Sequence, residues 1–452
     1  MSDFSIIEAV LVASKSTGND VEIDLRASLI EFTSYEHLQK PWVDARVVIV
    51  DDFGLKDSLS IQGTERFRIV FGSETDPALP VFTKFFFVSR VNDTKKINER
   101  GELVSLDLVE DHVYINSMKC ISRSYSTTID DMITQICRNE LGRGVTRQYF
   151  EGIAQGTRKF IVPYLSPLEA VAWVLARATT RTGGPVFLHG SLFTNDLLLS
   201  DFDSLMREEV VNPKFPLRYT SAKLSIADKD TELVDYYDIK EYREQNQEDT
   251  LALYEQGSIG SYYANIDAGT GLIAGDHVSI RDVIDEFYTN NLIDPKSAQT
   301  VYDPTLEIGG KLSDEYNAVQ IFQVTSSGMY NQFQSYHDEA VLLDDNDNLI
   351  ESKLKVKNKI IRSMLKKNVI DIGMSGKLFV EGKITVGNRV RLIFLASKIT
   401  DSKDVLDQID KRKSGDYLIM AVSHKFSIPN EEHLATLRLT KIGEIPSNVT
   451  LS

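Results

Sequence analysis

Residues 66–71 read RFRIVF, and residues 389–394 read RVRLIF. A β-strand repeats every two residues, so a one-residue slip would exchange its two faces. The two segments keep the same faces. Arg66 and Arg68 stand opposite Phe67, Ile69 and Phe71, as Arg389 and Arg391 stand opposite Val390, Leu392 and Phe394. The likeness continues downstream. FFFVSR (85–90) and LVSLDL (103–108) follow the first segment, and IMAVSH (419–424) and LATLRL (434–439) follow the second. This alignment equates Val88 with Val422, Arg90 with His424, and Val104, Leu106 and Leu108 with Ala435, Leu437 and Leu439. The longer spacing in the second copy falls in the polar stretch 395–415, where a surface loop absorbs added length. The chain therefore reads as a duplicated β unit with other material inserted between the copies.

The 452 residues are enough for several domains. Residues 1–115 are a first β-barrel domain, with short apolar or alternating runs such as VEIDL, ARVVIV, SLSI and ELVSLDL separated by turn signals such as DDFG. Residues 116–208 form an α/β domain. There Ile129, Met132, Ile133, Ile136, Cys137 and Leu141 fall at helical spacing behind Thr127 and Thr128. A second helix opens with Ser166 as N-cap, Pro167 at the first position and Glu169 closing a capping box. The second barrel is assigned to 209–235 and 346–445, including a basic helix over 351–367 with Leu354, Ile361, Met364 and Leu365 on its apolar side. Residues 236–345, with the strand AVQIFQVTS, read as an inserted irregular β region. The fold class is mainly β with α/β insertions.

A net charge of −16 repels phosphate at long range, so specific nucleic-acid binding is not expected. Cys120 and Cys137 form no CxxC unit, and the expectation is two reduced, buried thiols. The N-terminal apolar run lacks a basic leader and a cleavage site, and no stretch approaches the ~20 apolar residues that span a bilayer.

No catalytic constellation emerges. The seven histidines show no HExxH and no metal spacing. GTGLIAG (269–275) has no P-loop lysine, and DDNDN (344–348) lacks the glycine and distal glutamate of a calcium loop. No G-x-S-x-G elbow is present. No catalytic, cofactor or metal residues are assigned, and the chain reads as a non-enzyme. A cell-wall hydrolase would need paired carboxylates, and a carbohydrate-binding adhesin has only the Tyr-rich 236–345 region behind it.

Three places carry a resemblance to a family: LVSLDLVEDHVYINSMK; the pair STTIDDMITQIC and SPLEAVAWVLARA followed by FTNDLLLSDFDSL; and GKLFVEGKITVGNRVRLIF with DYLIMAVSHKFS and LATLRLTK. They resemble the baseplate hub protein of T-even-type contractile phage tails and, more distantly, the hub region of type VI secretion spike proteins. Gly387 matches a family glycine just before the barrel strand. The resemblance implies a homotrimer whose two tube-like β-barrels per chain make a pseudo-sixfold ring. It implies a structural virion protein of the tail baseplate, assembled in the host cytoplasm and acting in DNA ejection. The implied partners are the central spike protein, the tail tube or a tube-initiator protein, and baseplate wedge proteins. The chain departs from the family in 236–345 and after Gly443. Arg66, Arg68, Arg389 and Arg391 are the candidate ring or lumen positions, expected to meet acidic groups across subunit boundaries.

Overall fold

The structure is a computed structural model describing residues 5–14, 20–52, 54, 61, 63, 65–72, 81–96, 101–212, 216–219, 237–245, 249–267, 273–292, 305–316, 319–325, 350–376, 384–395, 409–430 and 432–443. The chain is mainly β, built on one 13-stranded sheet with helices packed around it. In chain order the strands of that sheet are β1 (Ser5–Ser14), β2 (Asp20–Asp24), β3 (Leu29–His37), β4 (Asp44–Asp51), β5 (Arg66–Gly72), β6 (Phe82–Lys96) and β7 (Glu102–Val109). They continue as β8 (Leu217–Tyr219), β9 (Ile239–Gln245), β10 (Val369–Ser375), β11 (Arg389–Phe394), β12 (Gly415–Ser427) and β13 (Glu432–Gly443). The spatial order is β9-β10-β13-β12-β3-β4-β7-β6-β5-β1-β2, with β11 on β12 and β8 on β11.

Two runs in this order have the same topology. β3-β4-β7-β6-β5 corresponds to β9-β10-β13-β12-β11, and the β12·β3 ladder joins them. The registers agree along most of these ladders, although β6 carries an extra residue between Val91 and Thr94 that β12 lacks. Arg66 pairs with Phe87 and Phe87 with Val109; Arg389 pairs with Leu418 and Leu418 with Thr440. A bulge between Val88 and Arg90 matches one between Ile419 and Ala421, and one between Leu29 and Glu31 matches one between Ile239 and Glu241. The outer members differ: β1 runs antiparallel to β5, whereas β8 runs parallel to β11.

Three sequence expectations are corrected here. The described strands do not close two separate barrels; both copies lie in one open sheet, joined where β3 pairs with the part of β12 beyond short β11. Val88 is equivalent to Ile419, not Val422, and Arg90 to Ala421, not His424; the shared bulge, rather than the VSR/VSH likeness, sets the frame. The strand Ile239–Gln245, assigned by sequence to the inserted region, pairs with β10 and forms the edge of the second copy. The first and third segments of the repeat hold their register as read: Arg66 matches Arg389, and Leu108 matches Leu439.

Between the copies lie smaller units. The helices Ile129–Leu141 and Pro167–Leu175 bury a core with Val186, Leu188, Leu197 and Leu199. Ser166 and Glu169 close the expected capping box, whereas Thr128 sits at the N-cap without a side-chain bond. In the inserted region Gly260–Asp267 pairs with Ile273–Ser279 and, in parallel, with Val319–Thr325. The helix Ile350–Met364 buries Leu354, Ile361 and Met364 in the core of the second copy and insert. DDNDN and residues 269–272 lie outside the described residues. Gly387 has φ +91, a conformation that favours glycine, and its N–H bonds the Ile419 carbonyl at 2.9 Å just before β11.

Candidate functional site at the junction of the two copies

Where β12 meets β3, a hairpin from the α/β domain docks. Its strands are Val186–Ser191 and Thr194–Asp201, and its tip packs Leu192 into the core of the first copy. The tip is held by buried polar groups. Lys84 of β6 donates to the carbonyls of Ser191 at 2.8 Å and Thr194 at 2.7 Å, and pairs with Glu110 at 2.9 Å. Glu110 also accepts the Val43 N–H at 2.7 Å. Glu36 of β3 accepts the Leu192 N–H at 2.6 Å and the Thr385 hydroxyl at 2.7 Å. Burial pushes the Glu36 carboxyl up to about 7, against the pull of those hydrogen bonds. Buried ions survive only when paired and bonded, and here each finds a partner from a different segment. The cluster thus ties both copies to the α/β domain.

An aromatic wedge seals the same junction. Phe426, from β12, enters the core of the first copy, 6.1 Å from Phe32 and 6.0 Å from Phe71 between ring centroids. His433 stacks on Phe426 at 4.0 Å, and its Nε2 lies 3.2 Å from Nδ1 of His424. Burial pushes His424 down to about 4 and His433 well below the usual imidazole range. Across the same ladder, Lys425 of β12 bridges to Glu31 of β3 at 2.7 Å.

The four arginines named from sequence occupy matched sites in two pairs, and none touches the junction cluster. Arg66 is exposed, 5.7 Å from the Phe87 ring. Arg68 reaches Glu8 at 3.4 Å and Glu22 at 3.8 Å. Arg389 donates to the carbonyls of Met206 and Glu208, each at 2.7 Å. Arg391 grips Asp416 with Nε at 2.6 Å and Nη2 at 3.0 Å. The acidic partners of Arg68 and Arg391 are therefore in their own chain.

A second pair of equivalent sites escaped the sequence reading. Arg46 of β4 bonds Asp107 of β7 at 2.8 Å, and at the matching places Asp371 of β10 accepts from Arg438 of β13 at 3.0 Å. Each pair sits directly cross-strand, and the two copies carry it with the charges exchanged. The signal was present as an inverted charge at one parity of aligned strands.

Catalytic geometry is sparse. A cavity of about 580 Å3 between the α/β domain and the first copy is lined by Trp42, Leu168, Val171, Phe187, Leu188 and Arg362 among others. Among the described residues its one lining carboxylate, Glu169, is engaged by Ser166 as a helix cap. Among the described residues there is no group of three or more His, Cys, Asp or Glu placed to hold a metal ion, and no helix is long and apolar enough to cross a membrane.

No protein-family model matches the chain, and no curated sequence relative does. Solved structures do resemble it in fold. A tail protein from Neisseria meningitidis MC58 aligns with a TM-score of 0.51 at 11% identity, over 96% of this chain and 97% of its own. The 43 kDa tail protein of prophage MuSo2 from Shewanella oneidensis aligns with a TM-score of 0.51 at 12% identity, over 96% and 98%. A type VI secretion component from E. coli aligns with a TM-score of 0.42 at 8% identity, over 94% and 77%.

Proposed function

We propose that this chain is a structural tail protein: the baseplate hub of a contractile phage tail. Three copies form a ring with true threefold and approximate sixfold symmetry. One face meets the sixfold tail tube or its initiator, the other the threefold spike, and wedge proteins contact the outside. The duplication carries this reading. Two copies of one topology, matched in register, bulges and a cross-strand ion pair, lie side by side in one sheet. Such a chain presents two nearly equivalent surfaces per subunit, which is what a sixfold-to-threefold adaptor needs. Support of a second kind is the fold-level likeness, over nearly the whole chain, to two tail proteins.

The purified chain, alone or with its spike, is expected to have the mass of a trimer and to image as a ring. A monodisperse monomer at micromolar concentration, unchanged by the spike, would overturn the reading. The lumen of such a ring passes genome, so a net charge of −16 per chain favours a wall that does not hold phosphate.

A further inference from the structure

The cleft of about 580 Å3 described above lies where three parts of the chain meet. Trp42 comes from the connection between β3 and β4 of the first copy, Leu168 and Val171 from the helix Pro167–Leu175, and Phe187 from the docked hairpin. The helix Ile350–Met364, which also packs into the core of the second copy and insert, supplies Arg362. A cleft of this size, with mainly apolar walls and a few polar groups, is the usual form of a small-molecule site.

Arg362 is held in place but not neutralised. Its Nε donates to Asn358 Oδ1 at 2.8 Å, and its guanidinium carbon lies 6.0 Å from the centroid of the Phe187 ring. The donors on Nη1 and Nη2 meet no protein acceptor, and no carboxylate pairs with the group, among the described residues. The chain treats other enclosed guanidinium groups differently: Arg143 pairs with Asp111, Arg391 with Asp416 and Arg438 with Asp371. Burial pushes the Arg362 guanidinium below its usual range, with no acid to oppose the shift. An unpaired charge in an apolar wall is costly, and a bound anion offsets that cost.

We propose that this cleft binds a small amphipathic monocarboxylic acid, with its carboxylate on the Nη groups of Arg362 and its apolar body against Trp42, Phe187, Leu168 and Val171. With Nε engaged by Asn358, the two Nη nitrogens offer the paired donors that a planar carboxylate accepts side by side. A single negative charge suits the site. Glu169 lines the same cleft, so a dianion such as a phosphate monoester meets more repulsion, and the apolar walls cannot hydrate its extra charge. The site does not depend on the tail reading. A ligand seated there touches the first copy, the α/β domain and the helix carrying Arg362 at once. It therefore binds the folded arrangement and stabilises it.

The test titrates the full chain in a calorimeter with phenylbutanoate and with phenylbutanamide, the same body without the charge. The acid should half-saturate the chain below about 1 mM, and the amide should bind about tenfold or more weakly. Arg362→Gln should bring the acid down to the level of the amide and leave the amide unchanged, a result that a purely structural Arg362 would not give. Arg362→Lys keeps the charge but not the fork, so it should retain part of the preference; it serves where the Gln variant does not fold. In Trp173→Phe, which leaves Trp42 as the single tryptophan, the acid should change Trp42 emission with the same half-saturation. Equal binding of acid and amide by the parent, no acid binding below about 1 mM, or an unchanged preference in Arg362→Gln would each overturn the assignment. Binding of the peptide acetyl-Leu-Phe through its free carboxylate, with none of phenylbutanoate, would overturn it too, and would make the cleft a seat for a chain end.

Discussion

Glu36 and its neighbours make the junction sensitive to pH in two opposed directions. The Glu36 carboxyl is raised from 4.5 to about 7, so its contribution is fully present below 4.5 and is lost as pH rises through about 7. Glu36→Gln should therefore lose less stability than the parent over that window, a difference on the order of 1–3 kcal/mol by denaturant titration at several pH values. His424 acts the other way: lowered from 6.5 to about 4, it supports the fold above 6.5 and withdraws support as pH falls through about 4. The matched arginines also part company. Arg389→Ala strands two carbonyls that the guanidinium now satisfies and should cost about 1–3 kcal/mol. Arg66→Ala removes one exposed ring contact and should cost about 0–1 kcal/mol. A melt series in which Arg66→Ala is the more damaging would contradict this account.

At the scale of elements, the hairpin tip acts through Lys84. Lys84→Met leaves Glu110 buried beside Val43 and frees the Ser191 and Thr194 carbonyls, an expected loss of about 3–5 kcal/mol with faster hydrogen exchange at Ser191–Thr194. Exchange unchanged at the tip would show that the ion pair does not hold it. Lys84 was legible in part: it shares parity with Phe86 and Val88, both buried, so its inward face could be read from the alternation. Its partners could not, because they come from segments far apart in sequence. The repeat was legible because period two fixes faces without any structure. The frame of its middle segment was not, because a bulge adds a residue without changing composition. β9 was missed for a third reason. IKEYREQ is a charged edge strand, and charge that protects an edge also hides it from a reading based on apolar alternation.

For the whole molecule, no binding to duplex DNA is expected at physiological salt, as measured by fluorescence anisotropy; a salt-sensitive complex of micromolar affinity would defeat the conduit reading. The exchanged ion pairs have a consequence for how such a chain is made. Duplication carries a hazard during synthesis, because strands with one register can pair with the wrong copy. Were β4 to settle against β13, Arg46 would face Arg438; were β10 to settle against β7, Asp371 would face Asp107. Both errors set like charges directly cross-strand, which is destabilising. Reversing the first pair, with Arg46→Asp and Asp107→Arg together, leaves each native pair intact and should change stability by less than about 1 kcal/mol. It also gives both copies one charge pattern and removes the penalty on the wrong pairing, so recovery after dilution from denaturant should fall. If recovery falls in this way, the inversion between Arg46–Asp107 and Asp371–Arg438 is a proofreading mark, by which a nascent strand tells its own copy from its twin.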